Sequence, residues 1–324
     1  MYNEELKKKF IESEIKTKSR KTIAEVCFEA TQKYEEYHDA DLCTLSSEDL
    51  KPILSQIIGI RASGEVTRTS VLKLYAKWCI ASQYPGACDA LLITKPDTVG
   101  KFALQSLSSP QHLQSILNAV FGSDEDISVD CIYKGFFWMG FIGVPEEISV
   151  KITVDNVDLE DRVILFSDES YRGEFQICNE ALPVIEKLVK LDAFEVIHPL
   201  YPENKKIKPR YCSRQLLRGL RSNKTVRDLR RISFDKMNAS NSPLVKDHKI
   251  TYSRVLISGV FYRMWCAEQG SPDGDRMTVD FSGYIRDLPG NENISATLLA
   301  HKERFMREDY EKWKQAYGMT STRI

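Results

Sequence analysis

The sequence predicts a mainly helical α+β protein of two domains, on three observations. Its 324 residues are about twice the usual domain length. Apolar residues recur at helical spacing through the first third, where no strand pattern intrudes. Two short β-like runs appear, both in the second part of the chain. With 42% apolar and 28% charged residues, the composition excludes a disordered, collagen-like or membrane-spanning chain.

The helices of the first domain, residues 1–122, follow in order. Ile23, Val26, Cys27, Ala30 and Tyr34 form one stripe. Leu50, Ile53, Leu54 and Ile57 form a second behind Ser46 and Ser47, either of which suits an N-cap. Val71, Leu74, Tyr75, Trp78 and Cys79 form a third after Thr69 and Ser70. A shorter helix surrounds Val99, Phe102 and Ala103. Ser109-Pro110 pairs a cap residue with a first-turn proline, Leu113, Ile116, Leu117 and Val120 follow, and Gly122 is the stop. A bundle of four or five helices results.

The second domain, residues 123–324, opens on a nearly all-apolar helix, 127–142, expected in the core. The β-like runs 163–166 and 174–178 flank a turn-rich 167–173 and predict a small antiparallel sheet. Helices are expected at 181–191, 215–220, 225–232 and 252–269. A Gly/Pro/Asp-rich stretch, 270–293, precedes the last helix, 296–316.

Eight cysteines are scattered at spacings of 9 to 54 residues, with no CxxC pair and no Cys/His cluster. Neither a zinc site nor a disulfide framework is expected, and no cofactor. The charged residues 1–10 lack the apolar stretch of a signal peptide, and 131–144 is too short to span a membrane. A cytoplasmic protein is expected.

The net charge of −1 hides a segregation. Residues 124–187 hold fifteen Asp/Glu against five Lys/Arg. Residues 205–231 hold eleven Lys/Arg against one acid, Asp228. In a helix over 215–220, Arg214, Arg218 and Arg221 share one face, and Leu216, Leu217 and Leu220 the buried one. A smaller basic run holds Lys7, Lys8, Lys9, Lys16, Lys18, Arg20 and Lys21. Such runs are often solvated faces. Here the density, the arginine bias and the presence of two patches favour phosphate, which the planar guanidinium grips with two hydrogen bonds. Duplex DNA is the expected partner. The candidate contacts are Arg214, Arg218, Arg221, Lys224 and Arg227, with Arg68, Lys73 and Lys77 from the first domain.

Leu299-Ala300-His301, followed nine residues on by Tyr310, resembles the Leu-Gly-His…Tyr ending of the tyrosine recombinase, or phage integrase, family. Gly143-Val144-Pro145-Glu146-Glu147 leading to Asp155-Asn156-Val157-Asp158 resembles the family's Gly-Leu-Arg-x-x-Glu and Asp-Ile-Asp. Ile250-Thr251-Tyr252-Ser253 resembles the Leu-Thr-Pro-His opening of its His-x-x-Arg helix. The resemblance implies a helical, SAM-like core-binding domain, a catalytic-type domain with a small antiparallel sheet, and a pair closing on duplex DNA as a clamp. In this register Val144 and Leu256 stand where the family has its two catalytic arginines, and Ser253 where it has the histidine. Arg254 lies two residues off. Residues 167–173 lack the family's catalytic lysine, Arg172 being the nearest substitute, and 270–301 is longer than usual.

Tyrosine attack on a phosphodiester develops extra negative charge on the non-bridging oxygens, and two guanidiniums normally neutralise it. Losing one such contact costs about 3 kcal/mol, a few-hundred-fold in rate. A tyrosine hydroxyl at its ordinary pKa of about 10 is a poor nucleophile. His301 and Tyr310 are therefore expected as vestiges, on a non-catalytic member of the family that acts as a sequence-specific prophage repressor. Two other readings stay open: an active recombinase with a pocket rebuilt from Arg172, Arg254, His301 and Tyr310, and a DNA-independent protein that docks through the acidic stretch. The acidic stretch also suits self-association or a protein regulator.

Overall fold

The structure is a computed structural model. It describes residues 1–58, 62–122, 129–169, 171–198, 201–210, 212–219, 225–246, 250–269, 280–286, 291 and 293–319. These fall into two compact units, residues 1–103 with 301–324, and residues 104–300.

The first unit holds α1 (Glu4–Glu14), α2 (Lys18–His38), α3 (Ser47–Ile57), α4 (Ala62–Ala81) and the short α5 (Ala90–Ile93) and α6 (Thr98–Ala103). Ser46 caps α3, its Oγ accepting from the Asp49 N–H at 3.2 Å. The core centres on Phe10, Phe28 and Tyr75, whose ring centroids lie 4.9 to 6.1 Å apart in edge contacts. The helix α1 escaped the sequence reading because its register includes a charge on the buried face. Lys7 is fully buried, its Nζ 2.6 Å from both carboxylate oxygens of Glu35. Glu35 also accepts from the Thr31 hydroxyl and the Leu42 N–H, each at 2.8 Å. Burial raises the Glu35 pKa, and Lys7 opposes the rise. Lys7 is thus removed from the expected basic surface run.

The second unit begins with α7 (Pro110–Phe121), capped by the Ser109 Oγ, which accepts from His112 N–H at 3.2 Å. Gly122 ends it at φ 79°. The boundary expected at residue 122 does not follow the compact units, because Leu113, Ile116, Leu117 and Phe121 of α7 share a core with the helix after it. That helix, α8 (Cys131–Ile142), is buried at every residue and forms the axis of the unit. Around it follow α9 (Glu146–Ser149), β1 (Val157–Asp158), β2 (Val163–Ser167), β3 (Arg172–Gln176) and α10 (Leu182–Lys190). Next come β4 (Ala193–His198), β5 (Tyr201–Pro209), α11 (Val226–Ala239), α12 (Pro243–Lys246), α13 (Tyr252–Gln269) and α14 (Phe281–Arg286). The last helix, α15 (Ala296–Ala316), starts in this unit and continues in the first.

The fold is mainly helical with small antiparallel sheets, as predicted. One sheet runs β1-β2-β3, with Ile164 opposite Phe175. A separate two-stranded ribbon, β4-β5, with Phe194 opposite Lys208, was not anticipated. The close crossing of α13 on α8 depends on Gly259, where an added Cβ would lie 1.9 Å from the Phe141 carbonyl oxygen. The helix expected at 215–220 is absent over 215–219, and Leu220 lies outside the described residues. Backbone pairing replaces it: Val154 N–H donates to Arg214 O at 2.9 Å and Leu216 N–H to Ile152 O at 2.8 Å. These bonds satisfy groups that a helix would have paired internally.

Candidate nucleic-acid interface

The basic block divides by environment. Arg210 is buried and structural. Its guanidinium donates to the carbonyls of Leu188 (2.8 Å), Leu191 (2.7 Å) and Leu216 (2.9 Å) and lies 5.2 Å from the centre of the Phe194 ring. Burial pushes its pKa down to about 10. Without a helix at 215–219, Arg214 and Arg218 do not share a helical face as expected. Arg214 pairs with Asp155. Arg218 is only 14% exposed, bonded to the Ser213 carbonyl (2.5 Å) and the Asp192 carboxylate (3.2 Å). Arg221 and Lys224 lie outside the described residues.

Helix α11 presents the clearest outward basic face. The Thr225 Oγ1 caps it, accepting from the Asp228 N–H at 3.1 Å. Leu229, Ser233 and Met237 form its buried side. Opposite, Arg227, Arg231, Phe234 and Asn238 recur at steps of four, three and four and make one exposed stripe. Phe234 is 59% exposed, far more than a packing residue needs. Arg231 sits 3.9 Å from Asp235, both of them well exposed. Arg230, which precedes Arg231, turns aside to grip Glu146 with two nitrogens. The helix expected over 225–232 continues to Ala239, and Phe234 and Asn238 lie in the part beyond that expectation.

In the first unit, Ser70, Lys73 and Lys77 share one side of α4, and Arg20 of α2 donates to the Ser70 hydroxyl at 2.8 Å. Lys77 is exposed and Lys73 half-buried. Arg68 does not join them. Its guanidinium donates to the Ile57 carbonyl and lines a cleft of about 560 Å³ with Glu29, Tyr34 and Gln56.

The residues that the sequence resemblance sets at catalytic positions lie in varied environments. Val144 is buried, and its carbonyl accepts from the Tyr252 hydroxyl at 2.8 Å. Leu256 packs, half-buried, against the core. Glu147 lies 3.8 Å from Arg230. The Asp158 carboxylate accepts from the N–H groups of Glu160 and Asp161 at 2.9 and 3.0 Å, fixing the β1-β2 turn. Ser253 lies 3.3 Å from the Thr251 hydroxyl. Arg172 is exposed on β3, and Arg254 is half-buried on α13. His301 is exposed, edge-on to Phe305 at 4.6 Å. Tyr310 is 1% exposed, stacked on Trp313 at 6.0 Å, with the Lys314 ammonium 4.7 Å from its ring centre. Nine residues on one continuous helix are roughly 2.5 turns and ~13.5 Å, which puts His301 and Tyr310 on opposite faces. Among the described residues no His, Cys, Asp and Glu group is arranged to hold a metal ion, and no helix is long and apolar enough to cross a membrane.

The first unit is all-helical among the described residues, with Lys77 exposed on α4. Residues 1–81 match the family described as MrpR, N-terminal core-binding domain, and over that stretch the chain is MrpR-like. Among solved structures, the crystal structure of XerA recombinase is similar with a TM-score of 0.44 and 11% identity, over 99% of this chain and 100% of that one. Comparison with curated proteins finds no match.

Proposed function

We propose that this chain is a sequence-specific, duplex-DNA-binding repressor of a prophage, acting in the bacterial cytoplasm to keep lytic genes silent, and that it performs no strand cleavage. The whole-sequence pattern and the opening Met1-Tyr2-Asn3-Glu4-Glu5 resemble the integrase-fold master repressors of SPβ-type prophages, the MrpR type, which fits the match over residues 1–81.

The observation that carries the reading is the stripe Arg227, Arg231, Phe234, Asn238 on α11. An α-helix fits the major groove. There arginine pairs with guanine N7 and O6, asparagine with adenine N6 and N7, and an apolar side chain meets the thymine methyl. Arginines at the helix start also serve the phosphates. Lys73 and Lys77 supply sequence-independent phosphate contacts from the first unit. The absence of cleavage rests on Val144 and Leu256, which carry no charge, and on Tyr310, which is buried and lies on the opposite face of α15 from His301.

Mobility shifts at two salt concentrations, with random duplexes and with fragments of a prophage regulatory region, test the reading. It expects a shift on both at low salt and on a regulatory fragment alone at higher salt. No shift on any duplex at low salt would overturn it.

A further inference from the structure

The β4-β5 ribbon has no part in the reading above. Its exposed section is Lys206-Ile207-Lys208, all three residues facing solvent and Ile207 at 72% exposure. Neighbouring strand residues alternate between faces, so Lys206 and Lys208 share one face, ~6.8 Å apart along the strand. In register they stand opposite Val196 and Phe194. Glu195 has the opposite parity, paired to Ile207. Lys206 and Lys208 thus rise from the face on which Phe194 is buried, and Ile207 from the other. The arrangement lets the lysine stems lie along the apolar Phe194 side while their ammonium groups stay in water. It is a compact double positive charge on a twisted two-stranded ribbon, a shape the major groove admits as readily as a helix.

We propose that the β4-β5 ribbon is a phosphate-anchoring arm of the second unit: Lys206 and Lys208 engage the backbone of duplex DNA, while α11 reads bases. Lysine suits the task, since an ammonium on a flexible stem meets phosphate as a point charge without demanding a fixed angle. The proposal rests on the DNA-binding reading and deepens it by dividing labour within the unit. The ribbon supplies affinity common to all sequences, and α11 supplies discrimination.

The test compares the full chain with Lys206→Ala/Lys208→Ala and Lys206→Arg/Lys208→Arg, by fluorescence anisotropy on random and operator duplexes across a salt series. Two phosphate contacts account for a log–log salt slope of about 1.8. The alanine pair is expected to lose that much slope and to weaken both duplexes by the same factor. The arginine pair is expected to keep the slope. An unchanged slope in the alanine pair, with the unaltered chain still binding, overturns the ribbon assignment alone. A changed self-association by ultracentrifugation with unchanged slope overturns it too and assigns the ribbon to a second copy of the chain. No salt-dependent binding by the unaltered chain overturns both the ribbon and the reading beneath it.

Discussion

Removing Arg227 and Arg231 together is the perturbation whose outcome the structure determines most closely. Arg227 is exposed at the start of α11, and Arg231 follows one turn later on the same stripe. Arg231 must leave Asp235, but an exposed pair at 3.9 Å contributes only about 0–1 kcal/mol, so redirecting it to phosphate costs little. Arg230 differs, because its two-pronged grip holds Glu146, whose side chain is largely shielded from solvent. If Arg227 and Arg231 each neutralise one phosphate, Arg227→Ala/Arg231→Ala lowers the salt slope by about 1.8. Over a fourfold salt change, from about 50 to about 200 mM, each contact is worth about 3.5-fold and the pair about 12-fold. The variant is therefore expected to lose roughly 12-fold less affinity than the unaltered chain between those conditions. If either arginine also pairs with guanine, discrimination falls by a further ~1–3 kcal/mol at that base pair. Anisotropy titrations on operator and random duplexes read both quantities, and circular dichroism checks that α11 remains. Equal slopes with an intact spectrum would refute the placement of α11 on DNA.

Other expectations follow from single contacts. Asn238→Ala should weaken operator binding by ~1–3 kcal/mol while leaving random-duplex binding unchanged, a split that competition titrations resolve. Lys73→Ala/Lys77→Ala should lower the salt slope, whereas Arg68→Ala should lower the urea midpoint and leave the slope alone, because Arg68 serves the Ile57 carbonyl. Lys7→Met should cost about 3–5 kcal/mol by leaving the Glu35 carboxylate buried without its cation, and Lys7→Met/Glu35→Leu should recover most of it in urea melts. Because burial raises the Glu35 pKa and Lys7 opposes it, the single variant releases a pKa raised further above its unfolded value. Its deficit should shrink as pH falls and protonation neutralises the group; a deficit that grows on acidification contradicts the assignment. Gly259→Ala should destabilise the second unit by about 2 kcal/mol or more, since the Phe141 backbone cannot yield as a side chain would.

How much of this was legible in the sequence depended on whether a residue's role was local. Helices α3, α7, α13 and α15 were readable because caps and stripes are encoded within a few residues, as Ser46 and Ser109 illustrate. The β4-β5 ribbon was hidden because β5 is polar and lysine-rich and so imitates a loop, while β4 is a run of only six residues. The helix expected at 215–220 failed for the converse reason: its leucines are buried, but its backbone groups pair with residues 152–154. Charge density overstated the surface available, since Arg210 is bound to three carbonyls and Arg214, Arg218 and Arg230 to carboxylates. No count of charges distinguishes a guanidinium that holds the fold together from one that is free to hold a phosphate. Lys7 makes the same point in the first unit.

Binding without cutting is the central claim, and a labelled duplex carrying a nick near the bound site tests it directly. Incubated with the full chain, the duplex is run on a native gel and again after denaturation with detergent. A native shift that vanishes on denaturation is the predicted result. A detergent-resistant protein–DNA band that disappears in Tyr310→Phe would contradict it.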